Sequence, residues 1–289
     1  MKLANTTQIS ALVYNFNASF ILEGINVMNP IKSIISRRQA YLSEHFDTSR
    51  YGKKLRALKG TQAGKKCFVI GNGPSLRAED LTVLEKNGIA TFAANRIYKL
   101  FENTDWRPTY YACEDEFVLE DIQDKINELD FKYKFIPINF NWFKGININN
   151  AYYFYQKFDS TLQQGGSRPD FFSEDVTKCI PCRGSVITTC VQLAVYMGFT
   201  EIYLIGVDHS FSRMTDKNGN LIVDEKVKDH FGNQKNADEN TKGIFNIDTA
   251  TQSFMDMKEF CDKLNVKVYN ATRGGKLEVF PRVDFDDLF

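Results

Sequence analysis

The stretch Cys67-Phe68-Val69-Ile70-Gly71-Asn72-Gly73-Pro74-Ser75-Leu76 decides the fold of this 289-residue chain. Four apolar residues predict a buried strand, and a Gly-Asn-Gly-Pro turn ends it before a polar, helix-prone run at 77–86. The two glycines allow positive φ and let a ligand approach the backbone. Amides at such a turn and at the following helix N-terminus favour an anion, most often a phosphate. An ordinary strand-to-helix turn is the alternative, because the loop matches neither common phosphate-binding glycine pattern.

Composition and charge bound the class of protein. The chain carries 36 basic and 36 acidic residues, so no net charge attracts it to nucleic acid, and we expect no nucleic-acid partner. No apolar run is long enough to span a bilayer, and polar residues at 5–8 make a poor signal peptide. We therefore expect a cytoplasmic protein, with a position at the inner face of the membrane as the alternative.

Two segments depart from the regular pattern of the chain. Residues 1–60 are predicted to form a helical arm with a basic face and an apolar stripe at a spacing of three to four residues. We expect this arm to pack on the main domain or to mediate a homo-oligomer, and peripheral membrane contact is the alternative. Residues 209–246 form a polar stretch too long for an ordinary connection, which predicts a lid. The apolar stripe of the helical arm at 1–60 consists of Phe16, Phe20, Ile21, Ile25, Met28, Ile31, Ile34, Ile35 and Tyr41.

The main domain is assigned to residues 61–289. Strand-like and helix-like segments alternate there, which predicts an α/β domain with a mostly parallel sheet and helices on both faces. The best helix follows Gly184 and ends at Gly198. Residues 156–182 are predicted to be a long surface loop. The predicted strands are 67–70, 89–94, 108–113, 134–138, 151–155, 200–207 and 266–269.

The carboxyl ends of these strands define the candidate site, because ligands bind there in an open parallel sheet. Amide, carboxylate, histidine and arginine side chains fall at these ends, which is the inventory of a nucleotide-sugar site. Arg183 is predicted to pair with a phosphate, and Ser185 to cap the helix that follows. The predicted nucleotide-binding residues are Gly71, Asn72, Gly73, Pro74, Ser75, Asn95, Asp115, Ser185 and Asp208.

The acidic triplet Glu114-Asp115-Glu116 suits more than one interpretation. Closely spaced acids can hold Mg²⁺ against a diphosphate, and an acid at this edge could also bind ribose hydroxyls. Acids also stabilise a helix N-terminus through its dipole. We predict that no cofactor is required and that the protein has no metal site of its own, with Mg²⁺ as the open alternative.

Two histidines are candidates for a general base, which must reach an acceptor hydroxyl and titrate near neutrality. His230 lies in the predicted lid, and His209 directly follows the central strand. The third, His45, lies in the arm and is predicted to be structural or exposed. The predicted catalytic residues are therefore His230, His209 and Arg183.

Three segments resemble a known group of proteins. They are Gly-Asn-Gly-Pro-Ser-Leu at 71–76, Asn95 after the second strand, and Gly-Phe-Thr-Glu-Ile-Tyr-Leu-Ile-Gly-Val-Asp at 198–208. Over about residues 64–270 the chain resembles bacterial lipooligosaccharide sialyltransferases and the broader motility-associated-factor and hydroxymethylpterin-pyrophosphokinase-like group. The resemblance implies a Rossmann-like domain, a CMP-activated donor such as a sialic acid or another nonulosonic acid, a surface-glycan acceptor, a lid that orders on donor binding and a histidine base.

The resemblance also implies roles for single residues. The loop residues Gly71, Asn72, Gly73 and Ser75 would line the CMP site, and Asn95 would contact the nucleotide. Arg183 falls where the sialyltransferases carry an arginine, and His230 matches their lid histidine. Those enzymes place tyrosines after the Gly-x-Asp strand to steady the departing phosphate, whereas residues 209–213 contain none. At those positions His209 or Arg213 is the candidate substitute.

The sequence therefore predicts a sialyltransferase-like glycosyltransferase of surface-polysaccharide synthesis, with a nucleotide sugar and a glycan as its substrates. A pterin-type pyrophosphokinase that uses ATP and Mg²⁺ is the first alternative, and the acidic triplet would then be essential. A nucleotide-binding subunit without catalytic activity is the second.

Overall fold

The fold is described by a computed structural model for residues 37, 40–158, 167–215, 220–231 and 245–289. Its main element is a seven-stranded sheet whose strands are β1 (Lys66–Ile70), β2 (Ala90–Ala94), β3 (Tyr110–Ala112), β4 (Tyr133–Pro137), β5 (Tyr152–Phe154), β8 (Glu201–Ile205) and β12 (Lys267–Asn270). Their order in space is β12-β8-β1-β2-β3-β4-β5, and every neighbouring pair is parallel. The predicted parallel sheet is confirmed.

Helices follow most of the strands, which gives the Rossmann-like α/β arrangement that was predicted. They are α1 (Arg50–Arg56), α2 (Ala78–Lys86), α3 (Glu116–Glu128), α4 (Ile138–Lys144), α5 (Val186–Met197) and α6 (Ile247–Lys263). Helix α5 is almost wholly buried and packs against β1, β2 and β3, while α6 packs against α5 and β12. Gly198 ends α5 in the left-handed conformation (φ 93°), as its position after the apolar run predicts.

Two smaller sheets complete the described elements. Strands β6 (Gln156–Phe158) and β7 (Ile180–Cys182) pair in parallel, so the prediction of an unbroken surface loop over 156–182 is wrong. Strands β9 (Arg213–Thr215), β10 (Leu221–Val223) and β11 (Phe245–Asn246) form a three-stranded sheet inside the predicted lid. Segments of two or three residues are too short to show a period in the sequence, which is why they were missed.

The described part of the arm packs on the main domain. Phe46 and Leu55 are fully buried, and α1 lies against β5. Lys54 Nζ donates to the carbonyl oxygens of Asn150 and Ala151 at 3.0 and 3.1 Å. The apolar stripe at 16–35 lies outside the described residues, so the oligomer and the membrane contact remain predictions. Within the described ranges, no helix combines the length and the apolar character that crossing a bilayer requires.

The high aromatic content is used in stacks that run across the strands. Tyr203 lies between Phe68 and Tyr269, with ring centroids 5.0 and 5.2 Å apart. Phe92 stacks on Tyr110 at 4.4 Å. These partners are directly opposite in the strand register, where side chains on one face meet. The stacks fill the core beneath the strand ends and fix the positions of those ends.

The ends of the two central strands, β1 and β8, approach each other unusually closely. A Cβ atom at Gly71 would lie 2.3 Å from the carbonyl oxygen of Gly206, and one at Gly206 would lie 2.7 Å from that of Gly71. Gly206 also has a φ of 64°, which disfavours a side chain. Both positions therefore require glycine, and the reason is backbone packing within the protein.

We expect Gly71→Ala to reduce the free energy of unfolding by about 2–3 kcal/mol, because the added methyl group overpacks the contact with Gly206. Urea unfolding followed by circular dichroism measures the change. Gly88→Ala is the control: its φ is 62° but nothing lies within 4 Å of the new atom, so the loss should be about 1 kcal/mol. Equal losses in the two variants would contradict a steric requirement at Gly71.

Candidate functional site

The loop after β1 uses most of its amides inside the protein. Gly71 N donates to Ile205 O at 2.8 Å, and Gly73 N donates to Gly206 O at 2.9 Å. The Asp208 carboxylate accepts hydrogen bonds from Ser75 N at 3.3 Å and from Ser75 Oγ at 2.7 Å. On this side the loop therefore faces the end of β8 and a carboxylate of the protein itself.

These contacts explain why positions 71 and 73 are glycine, and the explanation differs from the predicted one. Neither Gly71 nor Gly73 has a positive φ. A Cβ atom at Gly73 would lie 1.9 Å from Asp208 Oδ2, so the space beside the loop is filled by protein. The prediction of positive φ and an open ligand approach at these glycines is wrong. A phosphate would have to displace Asp208 to use the amide of Ser75, and burial raises the pKa of that carboxyl, opposed by the bonds from Ser75.

Two asparagines at neighbouring strand ends carry buried acceptors. The Oδ1 atoms of Asn72 and Asn95 are both buried, and neither has a hydrogen-bond partner among the residues that the structure describes. Asn72 is anchored because its Nδ2 donates to Ala94 O at 3.0 Å. Asn95 adopts a φ of 53°, and its carbonyl oxygen accepts a bond from the Tyr111 hydroxyl at 2.8 Å. A buried unpaired acceptor costs about 1–3 kcal/mol, so a ligand that donates to these oxygens recovers that free energy.

The segment 209–246, predicted to be a lid, places His230 beside the same loop. Phe231 is buried, and its amide donates to Asn72 O at 3.0 Å. The preceding Asp229 accepts from both the amide and the hydroxyl of Ser212 at 2.6 Å. His230 therefore sits between two anchored residues, close to Asn72.

The surroundings of His230 keep its imidazole neutral at pH 7. The residue as a whole is exposed, yet the protein atoms around the ring lower its pKa through desolvation. The positive charges of Lys99 and Arg96 lower the pKa further, while Asp229 and the Asn72 backbone oppose them. A neutral imidazole is the form that can accept a proton.

His209 lies in different surroundings. It adopts a φ of 52° directly after the Gly-x-Asp strand, and its Nε2 is 2.8 Å from the Thr251 hydroxyl on α6. Burial lowers the pKa of this histidine as well. The structure thus separates the two predicted bases: His230 is held beside Asn72, whereas His209 is bonded to α6.

Arg183 has a structural partner in place of a phosphate. Its side chain is completely buried and forms an ion pair with Asp256 on α6, with Nη2 and Oδ2 2.7 Å apart. Its carbonyl oxygen accepts a bond from Ser253. The prediction that Arg183 contacts phosphate is not met in this conformation, because the guanidinium is sealed between α5 and α6. The prediction that Ser185 caps α5 is confirmed, since its hydroxyl accepts from Ile187 N at 3.3 Å.

The three acids of the triplet point to three different partners. Glu114 is buried and accepts hydrogen bonds from Thr189 and from the Cys182 thiol. Asp115 caps α3 by accepting from Val118 N at 3.0 Å, as the helix-terminus interpretation predicts.

The third acid, Glu116, pairs with Lys144 at 2.6 Å. The triplet therefore does not form a Mg²⁺ site, and no cluster of three or more potential metal ligands occurs among the residues with described positions.

Sequence reasoning missed two features of this edge. Burial raises the pKa of Glu114 to about 7, so this buried carboxyl can gain or lose a proton near neutral pH. In the sequence, only the position of Glu114 at a strand end indicated a special role. Thr251, the partner of His209, sits in mid-helix, where nothing in the sequence distinguishes it. Both depend on contacts between segments far apart in the chain.

Fold and site together define an α/β protein with a cluster of polar side chains at the carboxyl edge of a parallel sheet. The family model for 6-hydroxymethylpterin diphosphokinase MptE-like proteins matches residues 40–214, and the chain belongs to this MptE-like family. No curated protein matches the sequence. A solved structure titled as the MAf glycosyltransferase from Magnetospirillum magneticum AMB-1 is similar over the whole chain, with 13% identity and a TM-score of 0.48. The chain covers 48% of the length of that protein.

We expect Glu114 to make the protein less stable as the pH rises from 4.5 to 7. In the unfolded chain the carboxyl loses its proton near 4.5, whereas in the folded protein it keeps the proton up to about 7. The unfolded state therefore binds fewer protons across this window, and stability falls by about 3 kcal/mol.

Urea unfolding at a series of pH values measures this dependence. Glu114→Gln removes the titrating group and should flatten the slope. Glu120→Gln, on the exposed face of α3, is the matched control and should keep the slope of the parent protein. An unchanged slope in Glu114→Gln would show that other groups carry the dependence.

Proposed function

We propose that this protein is a glycosyltransferase that uses a nucleotide-activated sugar, with a CMP-nonulosonate such as CMP-sialic acid as donor and a surface glycan as acceptor. The observation that carries the proposal is the pair of buried, unpartnered oxygens on Asn72 and Asn95, with His230 held beside them. Two acceptors require donors on the ligand. Ribose hydroxyls and the exocyclic amine of cytosine supply such donors, and a bare phosphate does not.

The proposed reaction is a direct displacement. His230 accepts the proton of an acceptor hydroxyl, the hydroxyl oxygen bonds to the sugar carbon, and the bond to the nucleotide phosphate breaks with its electron pair leaving on the phosphate. Lys99 and Arg96, whose charges act on His230, are our candidates for stabilising the departing phosphate in place of Arg183; Arg96 is also paired with Asp121 at 2.6 Å. No protein metal site enters this scheme.

The pyrophosphokinase alternative rests on the printed name of the matching family, which describes a diphosphokinase. Transfer of diphosphate from ATP depends on Mg²⁺, and the divergent partners of Glu114 and Glu116 do not fit the magnesium site that was the alternative interpretation of the triplet. Hydrolysis assays with CMP-sugars and with ATP, each with and without EDTA, separate the two activities. Turnover of ATP alone, abolished by EDTA, would replace our proposal. Nucleotide binding without any turnover would favour a non-catalytic subunit.

We expect Asn95→Gly to weaken CMP binding about tenfold in isothermal titration calorimetry. Glycine keeps the positive φ of this position and removes only the amide, so the loss reports one hydrogen bond to a buried acceptor. Asn150→Gly is the matched control, because Asn150 also has a positive φ (60°) but is exposed near β5. Equal affinities in the two variants would remove Asn95 from the nucleotide site.

We expect His230→Ala to lower turnover about 10²–10⁴-fold while nucleotide affinity stays close to that of the parent protein, because a general base acts on the acceptor hydroxyl. Donor turnover and calorimetry on the same preparations measure the two effects. His45→Ala, which changes an exposed histidine bonded only to the local backbone, should leave both unchanged. Full turnover in His230→Ala would move the base role to His209.

A further inference from the structure

A cavity lies beside the residues that follow the Gly-x-Asp strand. It has a volume of about 550 Å³ and opens between one face of α6 and the segment 276–279, with His209 in its wall. Cavities of roughly 300–1,000 Å³ accommodate small molecules. The carboxylate of Asp208 faces Ser75 in the β1 loop, whereas the next residue, His209, lines this cavity.

The hydrogen bonds of Thr251 fix which nitrogen of His209 carries the proton. The Thr251 hydroxyl has one proton and donates it to the carbonyl oxygen of Ile247 at 2.8 Å. Its oxygen must therefore accept in the 2.8 Å contact with His209, so Nε2–H is the donor. Burial lowers the pKa of His209, which leaves the ring neutral at pH 7 with a lone pair on Nδ1.

The Nδ1 lone pair is the hydrogen-bonding position that remains on this ring. No hydrogen bond to Nδ1 forms among the residues whose positions are described, and the atom is not sealed in the interior. The rings of Phe211 and Phe254 stand edge-on to the imidazole, with centroids 6.1 and 5.5 Å away, and hold its plane. The imidazole in the wall of the cavity therefore carries an acceptor of fixed orientation.

The remaining lining favours an uncharged ligand. Lys258 is paired with Asp262 at 2.5 Å, and Glu278 is paired with Arg282 at 2.7 Å, so these charges are largely compensated within the protein. The lining also contains one further residue of each sign, Lys276 and Glu259, so the wall carries no large excess of either charge. Beside them lies an apolar patch formed by Leu277, Val279 and the half-exposed Met255. A sugar ring combines an apolar CH face with hydroxyl donors, which matches an apolar patch next to hydrogen-bond acceptors.

We propose that this cavity binds a neutral carbohydrate, one of whose hydroxyl groups donates a hydrogen bond to His209 Nδ1 while its CH face packs on Met255. Thr251 acts as a positioning residue, because it holds the ring in the tautomer that leaves Nδ1 as an acceptor. Identifying this carbohydrate as the acceptor substrate rests on the proposed function; the binding site itself does not.

Methyl-¹³C-methionine NMR tests the site with methyl β-galactopyranoside and methyl α-glucopyranoside as probes and no nucleotide present. We expect the Met255 methyl signal to shift in a saturable way with at least one glycoside, while the signals of the buried Met197 and Met257 stay in place. Tetrahydropyran, which has the ring but no hydroxyl donor, is the ligand control. No shift at Met255 with either glycoside would overturn the proposal.

Two substitutions test the role of the tautomer. Thr251→Val removes the acceptor for Nε2–H at almost constant volume and should weaken glycoside binding about tenfold, the effect of one hydrogen bond. Thr251→Ser keeps the hydroxyl and should restore binding. Long-range ¹H–¹⁵N spectra should show the proton of His209 on Nε2 in the parent protein and in Thr251→Ser. Equal glycoside affinity in all three proteins, or a proton found on Nδ1, would refute the assigned role of the ring.

Separate titrations distinguish this proposal from the proposed function. Glycoside binding at Met255 in a protein that binds no CMP, UMP or ATP would uphold the carbohydrate site and refute the donor site. CMP binding without any glycoside response would do the reverse.

Discussion

The backbone contact between Gly71 and Gly206 is the constraint on which the candidate site depends. Because these two residues carry no side chain, the ends of β1 and β8 close to a distance that no other pair of residues permits. That closeness brings Asp208 within hydrogen-bonding distance of Ser75 and fills the space beside Gly73. The loop after β1 is therefore held rigidly, because most of its amides are paired within the protein itself. Ligand recognition then depends on side chains on either side of the loop.

Two sets of polar groups lie on either side of the contact between Gly71 and Gly206. On one side the oxygens of Asn72 and Asn95 stay unpaired beneath the lid residue His230, and on the other the imidazole of His209 bonds to α6. The positive φ of His209 turns the chain sharply at this point, so the Asp208 carboxylate faces the β1 loop while His209 lines the cavity beside α6. If both proposed sites are occupied, this one strand end lies between the nucleotide sugar and the carbohydrate.

The sequence predicted the sheet well because each central strand is an apolar run with a turn signal after it, as at Val69 and Leu204. Long helices such as α6 showed a clear period. The seven-residue helix α4 and the strands β6 and β7 were not predicted, because segments of that length do not display a hydrophobic period. The glycines of the β1 loop were correctly singled out, but for the wrong reason: their neighbour is the backbone of a strand more than 130 residues away, and only the fold reveals it.

The partners of the polar residues in the site likewise lie far away in the chain, so the sequence alone did not predict them. Arg183 and Asn95 both stand at predicted strand or helix ends, and the sequence gives no means of ranking them. In the structure Arg183 finds Asp256 and is fully buried, so its charge serves the packing of α5 on α6. Asn95 is held with its amide oxygen unpaired, at a cost of free energy that packing alone does not explain. A buried polar group that finds no partner in the described part of the chain is therefore a better guide to a ligand than residue type or position at the edge of the sheet.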